Sequence, residues 1–246
     1  MSLFDNLLES IPEGKVLDVR IGLHWTAVAV EVNGVRQCGL ASTLPAGHDH
    51  NKEPDVPQAG QLLTYSGKEL ARFSLKQRTI HASLGVAALN ALLPRHPHSW
   101  REDNAGEVIA RYGKGKRVAL IGRFHFVPEL RSRVKELLIL EQNPGPGDLP
   151  SESAPQVLPQ MEVVAITGMT LLNHTLEGLL RLCSADAFII ILGPSTPLSP
   201  VLFEYGVDII SGSVVMNIDP VLQVVSQGGN FRQVHRAGVK LVNIQP

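Results

Sequence analysis

Four apolar runs, Val118–Gly122, Val163–Gly168, Phe188–Gly193 and Val207–Gly212, each end in glycine, and residues able to bind or move protons follow three of them. A fifth run, Leu137–Glu141, ends in a carboxylate. After the first, Gly122-Arg123-Phe124-His125 offers a fixed cation and an imidazole able to bind metal or transfer a proton. A dinucleotide fingerprint needs three glycines in this turn, so that backbone can approach a pyrophosphate at a helix start. Only Gly122 is present, between bulky neighbours, so the usual cradle is absent or displaced. Glu141 falls about 20 residues further on, where a carboxylate would bond a ribose. Thr167-Gly168-Met169-Thr170 continues to Asn173 and His174. That spacing sets Thr170 and Asn173 near a helix start, as caps or as hydrogen-bonding groups for a polar or anionic ligand. In Gly193-Pro194-Ser195-Thr196-Pro197-Leu198-Ser199-Pro200 the prolines stiffen a loop and hold the Ser195 and Thr196 hydroxyls in place.

The first part of the chain adds His24 and Thr26 on a polar strand face, and His81 with Ser83 at a helix start. Asn90 shares a helical face with small residues, so its amide is expected to be buried and to need partners. Acid–base candidates are therefore His81, His125 and His174. Tight metal-type clusters are limited to His48-Asp49-His50 with Asp55, and His96-Pro97-His98. No zinc-spaced cysteine pair or HExxH is present, and no GxSxG elbow supports a serine hydrolase. Cys38 and Cys183 read as core thiols.

The elements that must carry these residues change grammar along the chain. A first amphipathic helix covers Asp5–Ser10 and is stopped by Pro12 and Gly14. From Leu17 to Ala29 apolar residues alternate as in one half-buried strand, and Asn33-Gly34 then turns it into a hairpin. A polar, Pro-rich loop over 45–60 precedes short helical stretches, of which Ile80–Leu93 is the best formed. Beyond residue 105 the apolar strands alternate with helices at Pro128–Val134, Leu171–Cys183 and Pro220–Gln227. That pattern predicts a parallel sheet covered on both faces. The expected fold class is α/β: a small α+β unit over 1–105 and a Rossmann-like domain over 106–246.

The 246 residues are 44% hydrophobic and 18% charged, with 22 Lys+Arg against 23 Asp+Glu. This composition excludes a disordered chain, and the lack of a cationic block argues against nucleic acid as a partner. No apolar run approaches the roughly 20 residues of a spanning helix, and the N-terminus lacks a cationic leader. A cytoplasmic protein with no membrane partner and with reduced thiols is expected.

Ala82–Ala91, Ile121–Phe124, Asn143–Pro150, Ile166–Asn173 and Leu192–Pro200 resemble a bacterial and archaeal family described as putative heavy-metal chelation, and Gly22–Val28 resembles its companion N-terminal domain. The resemblance covers nearly the whole chain. It implies an enolase N-terminal-like domain before a Rossmann-like one, a site in the cleft between them, and homodimers. Asn90, Gly122, Thr167, Gly168, Asn173, Gly193, Pro194, Ser195 and Thr196 match the family's motifs. Relatives often carry Glu where this chain has His81. The leading expectation is a protein that binds a small molecule, a metal ion or a metal chelate, either as an enzyme or as a chelate-handling factor. Arg123, Asn173, Ser195 and Thr196 would orient the ligand. One alternative is an enzyme using S-adenosylmethionine or a nicotinamide, with Glu141 on the ribose. Another is a non-catalytic interaction module.

Overall fold

The computed structural model describes residues 2–45, 54–77 and 79–246. Helix α1 (Leu3–Ser10) starts at a capping box, in which Ser2 Oγ accepts the Asp5 N–H and the Asp5 carboxylate accepts the Ser2 N–H. Strands β1 (Lys15–Ile21), β2 (Trp25–Val32) and β3 (Val35–Ser42) form an antiparallel sheet in that order. The long alternation is therefore two strands, not one. The chain reverses at Gly22–His24, where the Gly22 N–H donates to the Trp25 carbonyl at 2.9 Å. A Cβ on Gly22 would overlap the Val225 carbonyl oxygen, a tertiary constraint that periodicity does not carry. The second turn forms as read: Asn33 (φ 51°) and Gly34 (φ 76°) are both left-handed, and Val32 pairs with Val35. Thr26 is not on a solvent face. It is fully buried and bonds Thr43 at 2.9 Å.

Helices α2 (Gly67–Ala71) and α3 (Ile80–Leu92) follow, joined through a 3₁₀ turn at Arg72–Leu75. Helix α3 is buried almost all round. Its small residues let it lie on β3 so closely that a Cβ on Gly39 would overlap the Ala87 oxygen and the Ala91 nitrogen.

The remaining chain runs α4 (Ala105–Gly113), β4 (Arg117–Ile121), α5 (Val127–Arg131), β5 (Glu136–Glu141), β6 (Leu149–Pro150) and α6 (Ala154–Val157). It continues β7 (Val163–Thr167), α7 (Met169–Leu172), α8 (Leu176–Leu182), β8 (Phe188–Leu192), β9 (Ile209–Val215), α9 (Ile218–Ser226), α10 (Phe231–Gly238) and β10 (Val239–Ile244). The strands order β10-β9-β8-β7-β4-β5-β6. All pairs are parallel except β10 on β9. The fold is mixed α/β, a small antiparallel sheet beside a larger, mostly parallel one.

The helix expected over Leu171–Cys183 is two helices, broken where His174 takes φ 58°. The last helix and strand had no counterpart in the sequence reading, because α10 buries only Val234 and so shows little apolar period. One apolar cluster runs from Leu3 and Leu84 to Ile166 and Ile191. Another sets Ala27, Ala29 and Cys38 of the small sheet against Val221, Val225 and Val234. Among the described residues no helix is long and apolar enough to cross a membrane.

Candidate functional site

Strand order reverses between β4 and β7: β4 leads outward to β5, and β7 leads the other way to β8. The chain leaving these two strands diverges and opens a crevice at their carboxyl ends, the usual ligand position in open α/β sheets. A cleft of about 630 Å³ occupies it. Gly122 and Arg123 after β4, Glu141 at the end of β5, and Thr167, Thr170 and Asn173 around the end of β7 all line it. Six of the residues singled out in sequence thus meet in one place. Leu44 and Pro45, just beyond β3, complete the wall from the small-sheet side.

The hydrogen bonds show how these groups are set. Gly122 has φ 99°, and the Arg123 N–H that follows donates to Glu141 Oε1 at 2.6 Å. The Arg123 guanidinium turns to Asp148 Oδ2 at 2.6 Å, and the same oxygen accepts the Gly145 N–H at 3.0 Å. The Asp148 side chain is 2% exposed, against 51% for that of Arg123. The guanidinium hydrogen bond holds the Asp148 carboxyl below the usual carboxylate range. Asn173 spends its carbonyl oxygen on the Thr175 N–H and hydroxyl, and the Thr170 hydroxyl donates to the Thr167 carbonyl.

The other candidates lie elsewhere. The Asn90 amide donates to the Leu40 carbonyl at 2.9 Å and to the Ser195 carbonyl at 3.3 Å, which ties α3 to both sheets. Ser195 Oγ accepts the Ser42 N–H at 2.9 Å. The Pro194 carbonyl accepts the Ser213 hydroxyl, and the Gly193 N–H donates to Ser211. Thr196 is 1% exposed, and a Cβ on Gly168 would fall 2.5 Å from its Oγ1. The rigid loop after β8 therefore joins the two sheets, and it does not line the cleft. Asn90 and Thr196 border a separate chamber of about 60 Å³.

None of the three candidate histidines lines the cleft. His81 Nε2 is 3.1 Å from Gln58 Oε1 and edge-on to Phe73, and burial, then Lys76, push its pKa down. His125 borders a groove beside α4. His174 stacks on Phe4 and holds the Ser74 carbonyl at 2.7 Å.

Sequence reasoning missed Asn143, Ser151 and Glu152 as lining residues. The Asn143–Pro150 turn was visible, but Glu152 follows it without period or motif. His48, Asp49 and His50 lie outside the described residues.

Soft heavy-metal ions favour thiolate and thioether ligands, and borderline ions take imidazole as well. The side chains lining the cleft offer carboxylate, amide and hydroxyl groups and a guanidinium, with the Met169 thioether as their one soft donor among the described residues. Among the described residues no three His, Cys, Asp or Glu side chains are grouped to hold a metal ion. Burial pushes the Cys38 thiol up to about 12 and the Cys183 thiol to about 11, so both stay protonated. The described cleft fits a polar molecule better than a bare soft ion.

The two sheets and the crevice at the strand reversal define an α/β protein with a cleft at the carboxyl ends of its parallel strands. Family models described as putative heavy-metal chelation match residues 4–93 and 104–243, and the chain belongs to that family. The crystal structure of a protein with unknown function from Desulfitobacterium hafniense is similar, with 28% identity and a TM-score of 0.84, over 99% of this chain and 98% of that one. An uncharacterized protein of Methanocaldococcus jannaschii is 27% identical over 228 residues, which is 88% of this chain and 85% of that protein. A Pyrococcus horikoshii protein with unknown function shares the fold at a TM-score of 0.82 and 23% identity, with 99% and 98% of the two chains covered.

Proposed function

We propose that this is a small-molecule-binding protein that takes its ligand in the cleft at the ends of β4, β5 and β7, and that a metal enters as part of a chelate. One observation carries the reading. A crevice of about 630 Å³ lies at the strand reversal, lined by hydrogen-bonding groups from the second part of the chain and walled by Leu44 and Pro45 from the first. Ile121, Leu140 and Leu179 supply apolar surface for an organic framework, while Asn173, Thr167 and Arg123 supply orientation. The family description supports a metal-bearing ligand, and the oxygen-rich lining supports contact with the chelator instead of the ion. The nucleotide reading draws less support, because the Glu141 oxygen nearest the β4 turn is already bonded to the Arg123 N–H.

The test fills the cleft. Asn143 is an exposed lining residue, so Asn143→Trp adds bulk without disturbing the core. Native mass spectrometry with elemental analysis of the purified protein should show a bound mass that the variant lacks. Retention of that mass by the variant would remove the cleft from the reading, and a wild-type protein that carries no mass and binds no chelate offered to it would remove the reading itself.

A further inference from the structure

We infer that Glu141 sets the ligand class of the cleft: it selects a positively charged, hydrogen-bond-donating small molecule and excludes phosphate esters. This rests on the cleft reading above and goes beyond it.

The inference starts from the turn after β4. In α/β proteins that bind phosphorylated ligands, the N–H groups of this turn face the phosphate. Here the Arg123 N–H faces a carboxylate of the protein, since Glu141 Oε1 accepts it at 2.6 Å. The anion position of the turn is thus filled from within. A phosphate approaching Gly122 would meet Glu141 and not a free donor.

The remaining charges point the same way. Glu152 is the second carboxylate of the lining, and Arg123 is its sole fixed cation among the described residues. That cation is neutralised, because its guanidinium is bonded to Asp148 at 2.6 Å and 3.2 Å. The Arg123–Asp148 pair is neutral taken together, so the net charge of the lining is that of Glu141 and Glu152. A cleft lined by carboxylates and closed by low-dielectric walls focuses a negative potential. It concentrates cations and repels anions. The Asn173 oxygen is taken up by Thr175, but the Gln142 and Asn143 amide oxygens of the lining accept hydrogen bonds from a ligand rich in N–H or O–H groups.

An organic ammonium and a cationic metal complex share this chemistry, and two probes separate them. Hexaamminecobalt(III) is a substitution-inert cation bearing N–H donors, and 1,5-diaminopentane is its metal-free counterpart. Titration calorimetry compares both with pyrophosphate and NAD on the wild-type protein, Glu141→Gln and Glu136→Gln. The glutamine at 141 keeps an oxygen for the Arg123 N–H, so the turn is retained. Glu136 is exposed at the opposite end of β5, so its variant reports the effect of bulk charge alone.

Glu141→Gln should weaken binding of at least one cation by about tenfold or more, and Glu136→Gln by less than about twofold. Pyrophosphate should bind the wild type more weakly than Glu141→Gln. Equal losses in the two variants would overturn the inference, as would wild-type binding of pyrophosphate or NAD that Asn143→Trp abolishes. The latter result leaves the cleft reading standing. Absence of binding by every probe to a folded sample overturns the inference while leaving open only ligands of other chemistry for the cleft, which the bound-mass measurement addresses separately.

Discussion

Asp148 shows how one residue beyond the cleft wall governs those lining it. Its carboxylate gathers the Arg123 guanidinium and the Gly145 N–H, and so pins the loop after β5 to the turn after β4. The Arg123 hydrogen bond depresses the folded pKa below the ordinary 3.8. The stabilisation is therefore complete above that value and is lost as pH falls through the folded one. Hydrogen-exchange protection factors at the Gly145 and Asp148 amides, taken relative to the intrinsic rate at each pH, should be high at pH 5 and fall in the acid range, and in Asp148→Asn they should be low at both. Equal protection in wild type and variant would sink the assignment. His81 makes a second titration test. Burial and Lys76 lower its pKa, so its imidazole signals should titrate with a midpoint below 6.5. Its neutral form is the one favoured by folding, so its contribution is present above 6.5 and declines as pH falls through the lower folded value. Glu141 and Arg123 were legible in the sequence because they end or follow an apolar strand. Asp148 gave no such signal, since its role is a long-range ion pair and no local pattern encodes it.

At the scale of elements, glycines decide how closely α3 and the small sheet approach. Gly39 on β3 faces the backbone of α3, where even a methyl group would overlap the Ala87 oxygen and the Ala91 nitrogen. Backbone on both sides leaves no flexible side chain to yield. Gly39→Ala should destabilise the protein by about 3 kcal/mol or prevent folding, as overpacking of a tight core does. Gly178 in α8 is the opposite case, for a Cβ there meets nothing within 4 Å. Gly178→Ala should stabilise by about 0.5–1 kcal/mol, because alanine costs less entropy in a helix. Urea unfolding of both variants checks the pair, and a neutral Gly39→Ala would refute the close packing. The parallel strands were readable because they are buried on both faces and carry unbroken apolar runs. The break at Asn173–Thr175 was not, because Leu171, Leu172, Leu176 and Leu180 keep an apolar pattern across it. What breaks the helix is the left-handed backbone at His174, whose ring is held by Phe4 and the Ser74 carbonyl from the first part of the chain.

Over the whole molecule the same long-range ties join the two sheets, and they change the meaning of the loop after β8. Its prolines and hydroxyls read as a ligand platform, yet Ser195 bonds Ser42 of the small sheet, and the Ser195 carbonyl takes one of the two Asn90 amide bonds. Sequence composition registers that a loop is rigid but not what it is rigid against. The apolar cluster spanning both parts of the chain adds to this seam. Joined in this way, the sheets should unfold together. Asn90→Ala removes donors from two carbonyls, Leu40 and Ser195, and leaves them without that partner. The cost should be about 1–3 kcal/mol, the penalty of buried polar groups left unsatisfied. In a Trp100→Phe background, where Trp25 of β2 is the single tryptophan, fluorescence reports on the small sheet, whereas far-ultraviolet circular dichroism reports on the whole chain. Their urea midpoints should coincide in that background and shift together when Asn90→Ala is added, while cleft affinities for the two cations stay unchanged because Asn90 does not line the cleft. Separate midpoints in the Trp100→Phe background would mean that the seam does not couple the sheets. Lost cation binding in a folded Asn90→Ala sample would mean that the seam itself takes part in the site.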